Sequence, residues 1–435
     1  MYNNLVTLSF SLKQTDFTAL LKRTLSSDQW TLLHSVAAAA TARALPLYLV
    51  GGFVRDLLLG RSVKDFDLVV EGDAIPLAKA LAAQHGGRVT VHARFGTAQW
   101  FLLDSDINTL DFISARSELY KHPTALPTVK PGMLTDDLRR RDFTINTLAL
   151  RLDGDHFGEL CDNLGGLEDL QAGLIRVLHP VSFVDDPTRL FRAVRYEQRY
   201  GFQIAPETLV LILEARLLIN RLSAERVRHE LDLVLEEEYA VSMLERLAEL
   251  GILNAAHPAL EWNKVAHTRF VNGMAAAQTR EHPPSHRTLG WALWLMDVPL
   301  PGLESIEKRL HFESGLREML LAASTLFAEV YSLAGKTPSQ YTAVLDAIPL
   351  KAVQAVSLVL PAGPAHQELR AYLETWRHVK PKTTGHNLKK RGLPPGPAYQ
   401  SILQRLRDAW LDGKVKTVDE EMDLLEKLIQ IGKKG

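Results

Sequence analysis

The stretch YLVGGFVRDLLLGRSVKDFDLVV, Tyr48 to Val70, decides the fold of this chain. Leu47–Val50 is an apolar run that reads as a strand, Val54–Leu59 as a short helix and Phe66–Glu71 as a second strand. Gly51 and Gly52 end the first strand and open the helix, a place where backbone N–H groups can meet phosphate. Arg55 follows one helical turn on with a charged donor. Asp65 and Asp67, two residues apart on an extended backbone, project to one face. Two carboxylates that close repel unless a cation lies between them. Magnesium suits such an all-oxygen site and keeps waters or phosphate oxygens as further ligands. A dinucleotide-binding turn is the alternative for the glycines, but the third glycine of G-x-G-x-x-G is missing and the acidic pair arrives too early. The stretch reads better as a triphosphate held over metal.

Working outward, Ile75–His85 reads as a helix, and Arg88–Arg94, Thr97–Leu103 and Thr109–Ser114 as consecutive strands. Asp111, in the last of these, is a candidate third carboxylate for a two-metal site. Arg116–Thr135 is polar, carries Pro123, Pro127, Pro131 and Gly132, and reads as a long functional loop. From Asp136 onward the pattern turns helical, interrupted by strand signals at His156–Leu160 and Leu174–Leu178. The fold class expected is α+β: an N-terminal mixed sheet with helices, then an all-helical remainder.

The whole chain bounds these readings. Its 435 residues allow two or more domains, and 46% hydrophobic and 23% charged residues are ordinary for a soluble protein. No apolar run reaches the length of a membrane span. No basic n-region precedes an apolar core at the N-terminus, so no secretion signal is read and a cytoplasmic location is expected. The lone cysteine, Cys161, excludes a disulfide framework and a cysteine zinc site. A net charge of −1 argues neither for nor against nucleic acid. The distribution says more. Between Lys380 and Thr417 nine basic residues, Lys389, Lys390 and Arg391 among them, are opposed only by Asp408 and Asp412.

Two further clusters carry chemistry. LRRRDFTINTLAL (Leu138–Leu150) sets Arg141 beside Asp142, with Asn146 four residues on, a spacing that shares one face of a helix. VDDPTRLFRAVRYEQRYGF (Val184–Phe202) places Pro187 at a helix start with Asp185 or Asp186 as its cap. Arg189, Arg192, Arg195 and Arg199 then recur on one face. A solvated surface is the ordinary reading of such a run, but four like charges call for an anion.

With these motifs in order, the chain resembles the class II tRNA nucleotidyltransferases, the bacterial-type CCA-adding enzymes and their poly(A) polymerase relatives. GGFVRD with DFD resembles the family's first motif and RRDFTIN its second. DNLGGLEDLQAGLIRVL resembles the neck motif, with Asn163-Leu164 where Pro-Phe is usual. DDPTR resembles E-D-x-x-R with Asp185 in place of Glu, and ERVRHELDLVL (Glu225–Leu235) resembles the last motif. The resemblance implies a polymerase-beta-like catalytic head over 31–150 behind an N-terminal extension over 1–30. A neck over 151–222, a helical body over 223–340 and a tRNA-binding tail over 341–435 would follow. It implies Mg²⁺ on Asp65 and Asp67; Asp111 stays a candidate third catalytic carboxylate from its strand position, with a surface or capping aspartate as the alternative. Gly52, Arg55 and Arg141 would contact the triphosphate or ribose, with Gly51, Asp142 and Asn146 as further nucleotide-binding candidates beside them. Asp186 and Arg189 would read the base edge, supported by Arg192 and Arg195, and Lys389, Lys390 and Arg391 would grip RNA. The activity implied is template-independent addition of CCA to tRNA from CTP and ATP, with no obligate protein partner. The rivals are addition of the terminal A alone, of CC alone (disfavoured by the intact Arg116–Thr135 loop), poly(A) synthesis, and a silent RNA-binding protein.

Overall fold

The computed structural model describes residues 16–63, 65–102, 109–119, 128–280 and 284–434. Part of the expected N-terminal extension, the centre of the Arg116–Thr135 connection and the proline joint at 281–283 lie outside these residues. The chain divides into two compact units, Met1–Arg226 with Glu249–Ala255, and Val227–Ala248 with Ala256–Gly435.

The first unit is built on a seven-stranded sheet. Its strands are β1 (Leu47–Val50), β2 (Phe66–Val70), β3 (Arg88–His92), β4 (Thr97–Phe101), β5 (Thr109–Ser114), β8 (Ala149–Arg151) and β9 (Glu159–Cys161), in the spatial order 3-4-5-2-1-8-9. β2 and β5 run parallel, and the other neighbours are antiparallel. β1 is buried along its whole length, as suits a central strand. β4 and β5 alternate, burying Ala98, Trp100, Leu110 and Phe112. The helix Ala74–His85 packs on these two strands through Ala74, Leu77, Ala78 and Leu81. On another face of the sheet, Leu134 and Leu138 of the helix Leu134–Arg139 close over Tyr48, Val50, Val69 and Ala149.

Several expectations are corrected here. The ends of the Arg116–Thr135 connection pair as a two-stranded ribbon, β6 (Arg116–Leu119) with β7 (Thr128–Pro131). The helical pattern from Asp136 is interrupted by β8, which three residues are too few to betray by periodicity. The strand signal at His156–Leu160 shifts to Glu159–Cys161, because Gly154–His156 form a 3₁₀ turn. With β8 and β9 in the main sheet, the strand layer runs past residue 150. The signal at Leu174–Leu178 shrinks to a two-residue pairing of Leu174–Ile175 with Gln203–Ile204.

Residues 162–226 continue this unit. The helix Gly166–Ala172 approaches the 3₁₀ turn Thr144–Asn146 so closely that a Cβ on Gly166 would lie 2.3 Å from the Thr144 carbonyl oxygen. The contact is sealed by Thr144 Oγ1 donating to Asp169 (2.6 Å) and by Thr144 N donating to the Arg176 carbonyl (2.9 Å). The helix Arg189–Tyr200 follows.

The second unit is helical. Its core stacks Trp291 on Trp294, with ring centroids 5.3 Å apart, and Trp291 Nε1 donates to Asp232 (2.7 Å). Near the C-terminus, Leu388, Ile402, Leu406, Leu425 and Leu428 form a separate cluster. Buried Glu421 accepts from the backbone N–H groups of Lys382 and Thr383, from Thr383 Oγ1 and from Trp410 Nε1. Among the described residues no helix is long and apolar enough to cross a membrane.

A methyl group on Gly166 has no room against backbone, and overpacking of this kind costs about 1–3 kcal/mol. Gly166→Ala is expected to lower the urea midpoint of unfolding while leaving helix content by circular dichroism unchanged.

Candidate active site

The register of the two parallel strands sets the site. Asp67 of β2 lies directly opposite Asp111 of β5. Their neighbours Phe66, Leu68, Leu110 and Phe112 take the buried positions of the alternation, so the two aspartates share the other face. Asp65 precedes β2 and is exposed. Burial raises the Asp67 pKa, opposed by the Arg141 charge, and repulsion from Asp111, Asp65 and Asp137 raises it further. The structure thus gathers all three expected carboxylates into one field. Among the described residues no three His, Cys, Asp or Glu side chains stand close enough to cage an ion by themselves. The site is an open oxygen-only edge whose negative charge Arg141 offsets in part, a donor set that fits a hard divalent cation completed by waters or phosphate oxygens.

Gly51 has φ +67°, and its N–H donates to the Leu148 carbonyl (3.0 Å). This N–H is therefore engaged within the sheet edge. What the glycine supplies is space, since a Cβ there would stand 2.3 Å from Arg141 Nη1. Arg141 reaches this position from the turn after the helix Leu134–Arg139 and is held by Asp137 (Nη2–Oδ2, 3.2 Å). Its Nε is buried and has no hydrogen-bond partner. Fully buried Asp137 also binds Arg140 (2.5 Å). Asp137 was not singled out in the sequence, although its i+3 and i+4 spacing to two arginines was there to be read.

Arg55 departs from expectation. It is 4% exposed, and its donors go to Asp56 (Nε to Oδ1 and Nη2 to Oδ2, both 2.9 Å) and to Asn146 Oδ1. The Tyr200 ring lies 4.7 Å from its guanidinium carbon and the Tyr196 ring 5.3 Å. In this structure Arg55 braces the β1 turn against the helix Arg189–Tyr200.

Asp142 and Asn146 do meet, though not on one helix. Leu134–Arg139 stops short of them, and a 3₁₀ turn at Thr144–Asn146 brings Asn146 Nδ2 to Asp142 Oδ1 (2.8 Å). The other carboxylate oxygen takes Arg192 Nε (2.7 Å) and Nη2 (2.5 Å). Burial pushes the Asp142 pKa up, but the Arg192 charge and the hydrogen bonds from Asn146 and Arg192 hold it below the usual range. Arg192 of the helix Arg189–Tyr200 thus finds its anion inside the protein. Arg195 on the same helix is buried.

The helix begins at Arg189 rather than at Pro187, and its N-cap position falls to Thr188 instead of Asp185 or Asp186. Asp186 ends the short helix before it and accepts from Thr188 N (3.0 Å), Thr188 Oγ1 (2.7 Å) and Arg226 Nη2 (2.6 Å). Arg189 Nη1 donates to Ser182 Oγ (2.6 Å) and Nη2 to the Arg140 carbonyl (2.7 Å). With Ser117, Asp136, Arg139, Arg140, His179 and Asp185, Arg189 lines a cavity of 210 Å³. In the second unit, Lys389 and Lys390 are exposed at the end of the helix Gly385–Lys390, while Arg391 pairs with Glu426 (3.6 Å).

A paired-aspartate edge on a mixed sheet, a glycine turn under an arginine, and an Asp/Arg helix start in the same compact unit define a nucleotidyltransferase. Residues 47–176 match the poly(A) polymerase head domain, and 201–263 match the probable RNA- and SrmB-binding site of polymerase A. The A-adding tRNA nucleotidyltransferase of Halalkalibacterium halodurans is 32% identical over 94% of this chain and 93% of its own length. That of Geobacter sulfurreducens is 35% identical over 94% of this chain, which spans only 48% of that relative. The Thermotoga maritima CCA-adding enzyme, solved in complex with tRNA, superposes with a TM-score of 0.74 at 26% identity, covering 96% of this chain and 98% of that one. The chain belongs to the tRNA nucleotidyltransferase and poly(A) polymerase family, whose members are generally metal-dependent.

Two outcomes follow from this geometry. Asp142→Ala strands Arg192 and Asn146, and removing one partner of a buried pair costs on the order of 3 kcal/mol. Urea unfolding should show a loss of that size, with a smaller one for Asp142→Asn. A carboxyl whose pKa is raised on folding holds its proton more tightly in the folded state. Wild-type stability contributed by Asp67 is therefore lost as pH rises through its folded-state pKa. In EDTA, Asp67→Asn should melt higher than wild type near pH 7, with the advantage vanishing toward pH 4, and its catalysis should fall ~10²–10³-fold or more.

Proposed function

We propose that this chain extends tRNA 3′ ends without a nucleic-acid template, adding the terminal A from ATP. The observation that carries the reading is the placement, in one compact unit, of the Asp65, Asp67 and Asp111 edge, Arg141 and the Asp186/Arg189 helix start. In this reading the tRNA 3′ hydroxyl attacks the α-phosphorus of the bound nucleotide. The new phosphodiester bond forms as the bond to pyrophosphate breaks. Mg²⁺ held by Asp65 and Asp67 would lower the pKa of the attacking hydroxyl and neutralise the leaving pyrophosphate. Asp111 adds a third carboxylate to that edge. Arg141, lying over Gly51 with its Nε unengaged, supplies charge and donors to the phosphates. Asp186 accepts from the base edge and Arg189 donates to it, a pairing of fixed geometry that stands in for a template. Arg55, Asn146, Asp142 and Arg192 hold the two halves of this site in register. Positioning and charge neutralisation then account for most of the rate. The exposed Lys389 and Lys390 would contact tRNA phosphates, which position the RNA without reading its sequence.

The choice of A rests on the A-adding relatives, 32–35% identical over 94% of this chain. Addition of the whole CCA is the second reading. It is favoured by a structural neighbour solved with CTP and covered over 98% of its length. Three tRNAs, ending before CCA, after C and after CC, incubated with ATP, CTP or both and resolved at single-nucleotide length, decide between them. Extension only of the CC-ending tRNA by one A supports the first reading. Extension of all three to CCA establishes the second, and no extension of any overturns both.

A further inference from the structure

The row of side chains that carries Asp67 and Asp111 does not end at Asp111. Gln99 of β4 lies directly opposite Asp111 of β5, and Thr90 of β3 lies directly opposite Gln99. Residues paired in this way share a face of the sheet. One row therefore runs Asp67, Asp111, Gln99, Thr90 across β2, β5, β4 and β3. Two residues along, Phe101 pairs with Arg88 on the same face, and the Arg88 guanidinium carbon lies 4.8 Å from the ring centroid. The helix Ala74–His85 packs on the opposite face, where Ala98, Trp100, Leu110 and Phe112 are buried. On the Asp111 face Arg88 is exposed, and Thr90, Gln99 and Phe101 are half-buried. Among the described residues the Gln99 and Thr90 side chains have no hydrogen-bond partner and Arg88 has no ion pair.

The direction of the reaction says what this face would meet. With phosphates on Arg141 over Gly51, at the turn after β1, the leaving pyrophosphate stands on the β1 side of the aspartate edge. β1, β2 and β5 follow one another in that order across the sheet, and β4 and β3 lie beyond β5. Attacking and leaving oxygens stand roughly in line with the phosphorus between them. The attacking hydroxyl then arrives from the β5 side, and the strand that carries it extends over β4 and β3. Neighbouring strands are about 4.8 Å apart, so Gln99 is the first side chain beyond Asp111 that the terminal ribose reaches. The 2′ hydroxyl of that ribose is vicinal to the attacking one and both donates and accepts, and a glutamine amide offers a partner for each role. Unpaired RNA bases stack on aromatic rings and on guanidinium planes, and Phe101 with Arg88 supplies both.

We propose that the Asp111 face of β4 and β3 is the bed for the single-stranded 3′ end of the RNA being extended. Gln99 holds the 2′ hydroxyl of the terminal ribose, and Phe101 with Arg88 stacks a base of that end. Thr90 borders the bed on the far side of Gln99. The inference rests on the proposed function and adds the acceptor side of the same edge, for which none of the nucleotide-binding residues accounts.

The test measures kcat and KM for tRNA and for ATP with wild type, Gln99→Leu and Phe101→Ala. The tRNA ends in CC, and a second preparation carries 2′-deoxycytidine as its last nucleotide. Loss of the 2′ hydroxyl should lower kcat/KM of wild type roughly fivefold more than that of Gln99→Leu, about what one hydrogen bond contributes. A purely structural role for Gln99 would lower activity on both ends and leave their ratio unmoved. Phe101→Ala should raise KM for tRNA roughly tenfold, about what one stacked base contributes, with KM for ATP unchanged. The same ratio of the two ends in wild type and Gln99→Leu, or an unchanged KM for tRNA in Phe101→Ala, overturns the proposal. A rise confined to KM for ATP gives the face to the incoming nucleotide and overturns it too. If Phe101→Ala does not fold, Phe101→Leu, which keeps bulk without an aromatic plane, is held to the same outcomes. If wild type extends no tRNA, the functional reading fails instead. Photocrosslinking of the full chain to tRNA carrying 4-thiouridine as its last nucleotide then tests the bed by itself: crosslinks within Arg88–Phe101 support it, and crosslinks only elsewhere overturn it.

Discussion

One buried carboxylate ties the site of this protein together. Asp142 binds Asn146 through one oxygen and Arg192 through the other, and Asn146 in turn binds Arg55. The chain of contacts runs from the turn after β1, through the 3₁₀ turn behind the sheet, to the helix Arg189–Tyr200. Tyr196 and Tyr200 of that helix close the circuit by flanking Arg55. A buried charge is costly unless paired, and each member here is paired with the next. The network does not catalyse. It fixes the distance between the Gly51 turn and the start of the helix Arg189–Tyr200, the two places to which the proposed function assigns phosphate and base.

The catalytic edge works in the opposite sense. Strand register sets Asp67 beside Asp111, with Asp65 just before the strand, so that repulsion acts on Asp67 and the Arg141 charge opposes it. A group of carboxylates made uncomfortable in the protein alone is one that a cation and a polyanionic substrate together can satisfy. The stability of the surrounding sheet, with β1 wholly buried and Trp100, Leu110 and Phe112 in its core, is what allows the edge to remain so.

Much of this could be read before any coordinates. Apolar runs placed β1 and β2, the alternation of Thr109–Ser114 placed β5, and the two-residue spacing suggested that Asp65 and Asp67 act together. The pairing of Asp67 with Asp111 is a long-range register, which no local pattern encodes. Three-residue strands such as β8 and β9 lack a period to detect, so the sheet looked narrower than it is. Arg55 illustrates a different limit. A lone arginine near a glycine turn suggests phosphate, and only the later arrival of Tyr196, Tyr200 and Asn146 shows how fully its donors are engaged. The arginine run beginning at Arg189 calls for an anion; for Arg192 that anion is Asp142, which stands fifty residues earlier, a separation no local pattern encodes.

Gly51 and Gly166 share a property that none of the charged residues has. Each matters for an atom it lacks: Arg141 lies where a Cβ on Gly51 would be, and the Thr144 carbonyl lies where one on Gly166 would be. Contacts made by absence cannot be graded. A side chain can be lengthened, shortened or recharged by small steps, whereas any side chain at Gly166 meets fixed backbone, and any at Gly51 must adopt a left-handed backbone and displace the Arg141 head. The turns at these two glycines are therefore closed to gradual change, while the side chains mounted around them are not.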